Sequence, residues 1–448
     1  MPLKISISGI RGTVPDSLTP EICLNFAKAF GTYLQGKKVI VGTDSRSSSE
    51  YLKGIVFSGL LSCGCDVVDL GICPTPTVGL MVRALKAQGG VVITASHNPL
   101  PWNGLKFMRE DGIFLNEHQA KKLIKIYENK HFLSARSGKV SFFANALEFH
   151  LYRISKAVDV PLIRSRKFKV AVDASNGAGS YALPKLIEKL GGKVYPINCD
   201  PKLPFPHPPE PIPENIVDLR KLVKEKKTDL GFALDSDADR LAIISEEGKA
   251  IGEELTLALC LEFILRKHPY LSRKKKIVVT NLSSSQVLED IAKAHHAPLI
   301  RTKVGEVHVA EELKALKGLI GGEGNGGVIY PKIGYNRDSL TAAALILNYL
   351  ASSRKKISEL LAQFPSYHMI KTKIECHSFD QAQEIVEKVK RAFSHKDLIL
   401  TEGIKVILPN AWVHVRPSNT EPIVRIIAEA PEKKEAQILI DQVFEALR

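Results

Sequence analysis

Lys38-Val-Ile-Val-Gly-Thr-Asp44 is a short β-rich run that closes on small polar residues. A helix-like stretch follows it, then a second apolar run at Val67 to Leu70. The same order returns in Lys169-Val-Ala-Val-Asp-Ala-Ser-Asn-Gly-Ala-Gly179, with a companion run at Lys193 to Ile197. It returns again in Lys276-Ile-Val-Val-Thr-Asn-Leu-Ser-Ser-Ser285, with a companion at Pro298 to Arg301. Each reads strand, small-residue turn, helix, strand over about 30 residues, the size of a βαβ unit. Short apolar runs without alternation suit strands buried on both faces. Three echoes predict three similar mixed α/β domains.

Beyond about Tyr367 the pattern changes. Met369 to Cys376 alternates as a strand and Asp380 to Phe393 has helical spacing. Ile404 to Leu408, Ala411 to Val415 and Ile423 to Ala428 are further strands, and Lys433 to Leu447 closes as a helix. Strands with two helices predict a smaller C-terminal α+β domain. The expected limits are 1–152, 153–253, 254–366 and 367–448. Pro201 to Pro213 holds seven prolines and cannot form a regular helix. It is expected as an ordered or semi-extended loop of the second domain.

With 448 residues, 44% hydrophobic and 25% charged, and a mean hydropathy of −0.02, the chain has ordinary globular composition. That excludes wholesale disorder and fibrous repeats. The most apolar run, Leu255 to Leu265, is interrupted by Thr256, Cys260 and Glu262, and falls short of the roughly 18 residues of a membrane span. The first residues enter strand-like alternation without a signal-peptide core. Seven cysteines without a CxxC pair fit free thiols in a reducing compartment. The expectation is a soluble, cytoplasmic protein.

The formal charge of +14 would attract nucleic acid, acidic lipid or a small phosphorylated substrate. The basic runs, Lys224-Glu-Lys-Lys227 and Arg273 to Lys276, carry no interleaved aromatic residues of the kind a single-strand binder needs. They read as solvated surface, so neither nucleic acid nor membrane is expected as a partner. The oligomeric state stays open between monomer and homodimer.

Four loops carry chemistry. Thr94-Ala-Ser-His-Asn-Pro99 follows the buried run Gly90-Val-Val-Ile93. Hydroxyl, imidazole and amide thus stand at a strand's C-terminal end, where open α/β sheets bind ligands. A capping turn is the alternative, and no GxSxG elbow supports a serine hydrolase. Ser96 and His97, as sequence neighbours, need not face each other.

Asp235-Ser-Asp-Ala-Asp-Arg240 follows Leu230-Gly-Phe-Ala-Leu234. Its three carboxylates repel unless a cation holds them. Same-face side chains on a strand stand roughly 6.8 Å apart, while octahedral Mg²⁺ wants oxygens at about 2.0–2.1 Å. The segment must therefore curl. An EF-hand fails because the position that needs glycine is Arg240 and Leu241 to Ile244 is a strand, although Glu246 falls where the closing Glu would stand. A solvated acidic turn is the remaining alternative to a divalent site.

Gly321-Gly-Glu-Gly-Asn-Gly-Gly327 surrounds a carboxylate and an amide with glycines. Its backbone can approach a ligand closely, and Glu with Asn supplies the acceptors and donors a polyol needs. It does not match the dinucleotide pattern, and a plain glycine-rich turn is the other reading. Arg416-Pro-Ser-Asn-Thr-Glu-Pro422, followed by Arg425, offers a guanidinium fork and hydroxyls suited to a phosphate dianion, or else is a polar turn. Gly31-Thr-Tyr-Leu-Gln-Gly-Lys-Lys38 only mimics a P-loop. It lacks the final Ser/Thr, and its glycines come after a helix and before a strand.

Together these loops resemble the α-D-phosphohexomutases, the family of phosphoglucomutase, phosphomannomutase and phosphoglucosamine mutase. The resemblance covers the whole chain in family order: Gly9-Ile-Arg-Gly12, TASHNP, DSDADR, GEGNGG and RPSNTEP. It implies three α/β domains and a smaller fourth around a central cleft, and interconversion of hexose 1- and 6-phosphates through a 1,6-bisphosphate.

By that resemblance Ser96 is the phosphoserine and, with Asp235, Asp237 and Asp239, a ligand of Mg²⁺. Lys106, in Asn103-Gly-Leu-Lys106, and Arg11 would manage protons and charge, with His97 beside the serine. Arg240, Glu323 and Asn325 would meet the sugar phosphate. Arg416, Ser418, Asn419, Thr420 and Arg425 would grip the phosphate not being transferred. Glucose- or glucosamine-1,6-bisphosphate would serve as activator.

The chain departs from many relatives at Ser236 and Asn419, where glycine is common, and at Gly327, where a histidine is common. His308 is a candidate to compensate for the last, or an ordinary polar residue. Asn325 resembles a bacterial and archaeal branch acting on glucosamine, glucose and mannose phosphates, with glucosamine phosphate favoured. A metal-dependent phosphatase and a catalytically dead sugar-phosphate binder are the rivals. Intact Ser96, Lys106 and the aspartates argue against the second.

Overall fold

The computed structural model describes residues 3–7, 9–418 and 421–447. The chain divides into two compact units, Met1–Phe263 with Asn325–Glu359, and Ile264–Gly324 with Leu360–Arg448.

In the first unit a seven-stranded mixed sheet runs in the order Lys4–Ser6, Gly9–Thr13, Trp102–Arg109, Gly89–Ile93, Val39–Thr43, Val67–Ile72, Val140–Phe142. Val39–Thr43 is wholly buried and pairs in parallel with Val67–Ile72 and Gly89–Ile93, as a β-rich run without alternation requires. Trp102–Arg109 returns antiparallel, setting Lys106 opposite Val92 and Leu105 opposite Ile93. The helix Pro20–Tyr33 starts where the Thr19 side chain accepts from Ile22 N and proline takes an early helical position. Its Phe26 and Phe30 are buried, and Phe30 packs on Phe107 with ring centroids 4.8 Å apart.

A second sheet of this unit has the order Leu241–Ser245, Leu230–Leu234, Lys169–Asp173, Lys193–Ile197. The proline-rich segment is ordered beside it. His207 Nε2 lies 3.1 Å from Asp173 Oδ2, and Asn176 Nδ2 donates to Pro204 O at 2.8 Å. The helix Ser339–Ser353 is buried over nearly its whole length. Its first turn is capped by Asp338, which accepts from Leu340 N and Thr341 N.

In the second unit Val278–Asn281 lies between Leu299–Thr302 and Ile320–Glu323, parallel to both. This is the third echo. The C-terminal sheet is antiparallel, in the order His368–Glu375, Ile423–Ala430, Ala411–Pro417, Ile404–Leu408, Asp397–Ile399. Helices Phe379–Ala392 and Lys433–Glu445 cover it, burying Val386, Val389, Leu439 and Val443. Three α/β domains and a C-terminal α+β domain are thus the architecture.

The basic runs are exposed as read, except at Lys276, the last residue of the second. Lys276 is buried because its ammonium donates to the carbonyls of Pro269 at 2.8 Å and His295 at 3.5 Å. No helix among the described residues is long and apolar enough to cross a membrane.

Candidate active site

Ser96 stands three residues past the strand Gly89–Ile93, buried, with φ at +52°. A non-glycine residue there costs on the order of 1–3 kcal/mol and persists only where its surroundings over-determine it. They do so through Arg46. Its guanidinium donates to the carbonyls of Ser96 (2.6 Å), Asn98 (2.6 Å), Pro99 (2.7 Å) and Trp102 (2.8 Å). Its Nε pairs with Asp44 Oδ2 at 3.0 Å. The same oxygen of Asp44 accepts from Thr94 Oγ1 at 2.7 Å, while Oδ1 accepts from Ser49 Oγ at 2.9 Å.

The hydroxyl of Ser96 donates to Asp235 Oδ2 at 3.1 Å, and His97 Nδ1 lies 3.4 Å away. Neighbours in sequence, Ser96 and His97 do meet, because the left-handed turn brings the imidazole round to the hydroxyl.

The aspartates converge as the curl argument requires. Leu230–Leu234 ends at Asp235 and the chain turns at Ala238, whose φ is +55°. Asp235 Oδ1 accepts from the backbone N–H of Asp239 (3.1 Å) and Arg240 (3.2 Å). One ligand atom from each of Asp235, Asp237 and Asp239 lies within 4.8 Å of the others, all three residues buried. The turn is braced at Ser236, whose Oγ lies 2.7 Å from Ser96 O and 3.2 Å from Asp44 Oδ2. Ala178 N donates to Ser236 O at 2.7 Å. The hydroxyl of Ser236 thus ties the acidic loop to the serine loop.

Four cations surround these carboxylates. Lys106 Nζ donates to Asp237 Oδ2 at 2.6 Å, an oxygen that also accepts from Thr75 Oγ1 at 2.7 Å. Arg337 Nη2 donates to Asp239 Oδ2 at 2.7 Å. Arg240 Nε lies 3.9 Å from Asp235 and 3.8 Å from Asp239. Arg11 reaches Asn98 Oδ1 at 3.2 Å and feels the charges of Asp237 and Asp239. Two buried oxygens, Asp237 Oδ1 and Asp239 Oδ1, accept no hydrogen bond among the described residues, the second having only the Arg240 guanidinium at 3.8 Å. Orphaned anionic oxygens inside a protein demand a cation, so the donor set fits a hard divalent ion.

Burial, then the charges of Asp239 and Asp237, push the Asp235 carboxyl well above its ordinary range. Burial also pulls Asp239 upward, but Arg337, Lys106 and Arg240 outweigh it and hold that carboxyl low. His97 is driven well below its usual value by Arg240, burial and Arg11, and is neutral near pH 7.

In the second unit Glu323 ends the strand Ile320–Glu323. Its Oε1 accepts from Asn281 Nδ2 at 2.9 Å and Gly305 N at 3.0 Å. Arg416 and Arg425 stand opposite each other on paired strands. Like charges in that position are destabilising, and each has an acid: Glu402 at 3.3 Å from Arg416, Glu421 at 3.6 Å from Arg425. Glu402 Oε2 also accepts from Val304 N at 2.6 Å. Ser418 N donates to Ile423 O at 2.9 Å, closing the loop neck. Asn419 and Thr420 lie outside the described residues. His308 is half-buried in the first turn of the helix Glu306–Ala315. Asn325, in the first unit, accepts from Gly327 N at 3.2 Å.

Four family models of the phosphoglucomutase/phosphomannomutase description match the chain in succession. They are α/β/α domain I over residues 3–134, domain II over 148–248, domain III over 253–367 and the C-terminal domain over 369–446. The chain belongs to the phosphoglucomutase/phosphomannomutase family. A phosphoglucomutase/phosphomannomutase of Thermococcus kodakarensis is 39% identical over 439 residues, 96% of this chain and 95% of that one. A probable phosphoglucosamine mutase of Pyrococcus abyssi is 38% identical over 440 residues, 97% and 95%. The crystal structure of a family protein from Burkholderia thailandensis superposes with a TM-score of 0.86 at 25% identity, covering 99% of this chain and 97% of that one. As a family member the chain is an isomerase of the phosphohexomutase class.

Sequence reading overlooked Asp44, Arg46, Asn281, Arg337 and Glu402. Asp44 and Asn281 had a signal. Each ends one of the echoed strands, in the place equivalent to the serine and acidic loops. Arg46, Arg337 and Glu402 had none, since each acts on residues far away in the chain.

Proposed function

We propose that the chain interconverts hexose 1- and 6-phosphates with Ser96 as phosphoryl carrier, and that glucosamine phosphate is its preferred substrate. The observation that carries this reading is the Ser96 hydroxyl set 3.1 Å from Asp235, among aspartates with orphaned oxygens and the Lys106 ammonium. Asp235, Asp237 and Asp239 would hold Mg²⁺, which supplies neutralisation of phosphoryl charge when bound.

In the first half-reaction the bond between phosphorus and Ser96 Oγ breaks as one forms to a sugar hydroxyl oxygen. The hydroxyl proton ends on Ser96 Oγ. The 1,6-bisphosphate so formed returns its other phosphoryl group to Ser96, and that step restores the enzyme. Lys106 and Arg11 stabilise charge and manage the proton, with His97 beside Ser96 as a neutral hydrogen-bonding partner. Arg240, Glu323, Asn325 and His308 take the sugar phosphate. Arg416, Ser418, Asn419, Thr420 and Arg425 take the phosphate not being transferred, the facing pair Arg416 and Arg425 giving it charge-assisted bonds. Domain limits of 1–152, 153–253, 254–366 and 367–448 are part of the proposal, one sheet centred in each.

The name of the relative at 39% identity favours a second reading, with glucose or mannose phosphate preferred. Phosphorus NMR separates the two. Glucosamine-, glucose- and mannose-1-phosphate are each given with Mg²⁺ and a trace of the matching 1,6-bisphosphate. Fastest conversion of the glucosamine compound to its 6-phosphate supports the first reading. A faster glucose or mannose reaction supports the second, and release of inorganic phosphate would point to a phosphatase and contradict both.

A further inference from the structure

The side chain of Arg337 runs across Gly327. A Cβ on Gly327 would stand 2.1 Å from Arg337 Cδ, 2.8 Å from Arg337 Cγ and 3.0 Å from Asn325 Oδ1. Gly327 is not among the residues with positive φ, so its backbone does not call for glycine. Clearance for a neighbouring side chain does.

That side chain ends on Asp239, whose Oδ2 accepts from Nη2 at 2.7 Å, both groups buried. Lys106 Nζ lies 3.5 Å from the same oxygen. The other oxygen, Asp239 Oδ1, accepts no hydrogen bond among the described residues. The base of Arg337 is fixed by the next two residues of the chain. Asp338 caps the helix Ser339–Ser353 and meets His150 Nε2 at 2.9 Å. Ser339 Oγ donates to Ala238 O at 2.6 Å, immediately before Asp239.

We propose that Arg337 is a positioning residue for Asp239 and that Gly327 provides the clearance through which it reaches that carboxylate. The inference rests on the reading of the aspartates as a divalent-cation site. With one oxygen held by the guanidinium, the carboxylate cannot rotate, and Oδ1, which accepts no hydrogen bond among the described residues although Arg240 Nε lies 3.8 Å away, would face the cation. The charge of Arg337 also offsets part of the mutual repulsion of three buried carboxylates.

The test is Mn²⁺ binding by titration calorimetry, with thermal midpoints measured in parallel. The variants are Arg337→Ala, Arg337→Lys, Gly327→Ala and the double Gly327→Ala/Arg337→Ala. Partners that orient metal ligands typically contribute 10–100-fold in affinity, so Arg337→Ala is expected to weaken Mn²⁺ binding about tenfold. Arg337→Lys, whose stem follows the same path, recovers most of that loss and serves if the alanine variant does not fold. Gly327→Ala pushes Arg337 aside and weakens binding as Arg337→Ala does. The double variant is no weaker than either single one, and its thermal midpoint is no lower than that of Gly327→Ala because the collision is gone.

Wild-type affinity in Arg337→Ala, tighter binding there, or losses that add in the double variant would overturn the inference while leaving the cation site standing. A wild type that binds no Mn²⁺ would overturn the cation reading and this inference with it.

Discussion

At the scale of single residues, the site depends on Arg46 as much as on Ser96. Five hydrogen-bonding directions of one buried guanidinium are spent on Asp44 and on the carbonyls that frame Ser96. Removing it leaves the Asp44 carboxylate and several carbonyls buried without their donor, a loss of about 3–5 kcal/mol by analogy with broken buried pairs. Arg46→Met is therefore expected to lower unfolding free energy in urea by that order and to abolish most turnover. Arg46→Lys regains little, since a point charge cannot span four carbonyls. A loss under about 1 kcal/mol, the size of one ordinary hydrogen bond, would contradict this role. Arg416 makes a second case. Arg416→Ala should raise KM for every hexose phosphate far more than it lowers stability, and unchanged kinetics with all of them would remove this arginine from the site.

At the scale of elements, the loops that follow Lys169–Asp173 and Leu230–Leu234 brace one another. Gly177 lies against the acidic loop so closely that a Cβ there would stand 2.5 Å from Ser236 O and 2.8 Å from Ser236 Cα. Backbone cannot swing aside as a side chain can. Gly177→Ala should displace the acidic loop and cut activity without touching any candidate ligand, and wild-type turnover would show that the loop tolerates the shift. The proline-rich segment adds a pH dependence. Burial pulls the His207 imidazole down, but its bond to Asp173 carries it above its ordinary value. A raised histidine contributes stability fully present below its unfolded value of about 6.5 and lost as pH rises through the folded one. Urea midpoints should fall from about pH 6 to about pH 8 more steeply in the wild type than in His207→Gln. Equal slopes would contradict the pairing.

These elements also show what a sequence can carry. Strand–turn–helix order is local, so the echoed βαβ units and the C-terminal strands other than Asp397–Ile399 were legible from apolar runs and turn residues. The acidic loop was legible because three carboxylates in five residues have few stable arrangements. The carbonyl clamp of Arg46, the path of Arg337 over Gly327 and the bridge from Glu402 to Val304 were not, because each joins residues distant in sequence. Lys276 departs from the solvated reading even though its partners lie nearer in the chain. Its basic neighbours suggested solvent, while the carbonyls of Pro269 and His295 hold it inside.

At the scale of the whole molecule, the charge of +14 fits an enzyme that gathers small dianions from solution. Screening shortens the reach of that field, from about 30 Å at 0.01 M salt to about 10 Å at 0.1 M. kcat/KM should therefore fall with ionic strength while kcat holds, and a flat kcat/KM would confine electrostatics to the bound complex. The central claim, however, is a covalent one. The enzyme is incubated with a hexose 1,6-bisphosphate and Mg²⁺, quenched, digested and read by mass spectrometry. One added phosphoryl group is expected on the peptide bearing Ser96, removed when hexose 1-phosphate is added, and absent from Ser96→Ala, which also loses turnover. A peptide that stays unmodified, or a Ser96→Ala enzyme that still converts hexose 1-phosphate to 6-phosphate at the wild-type rate, would contradict that claim.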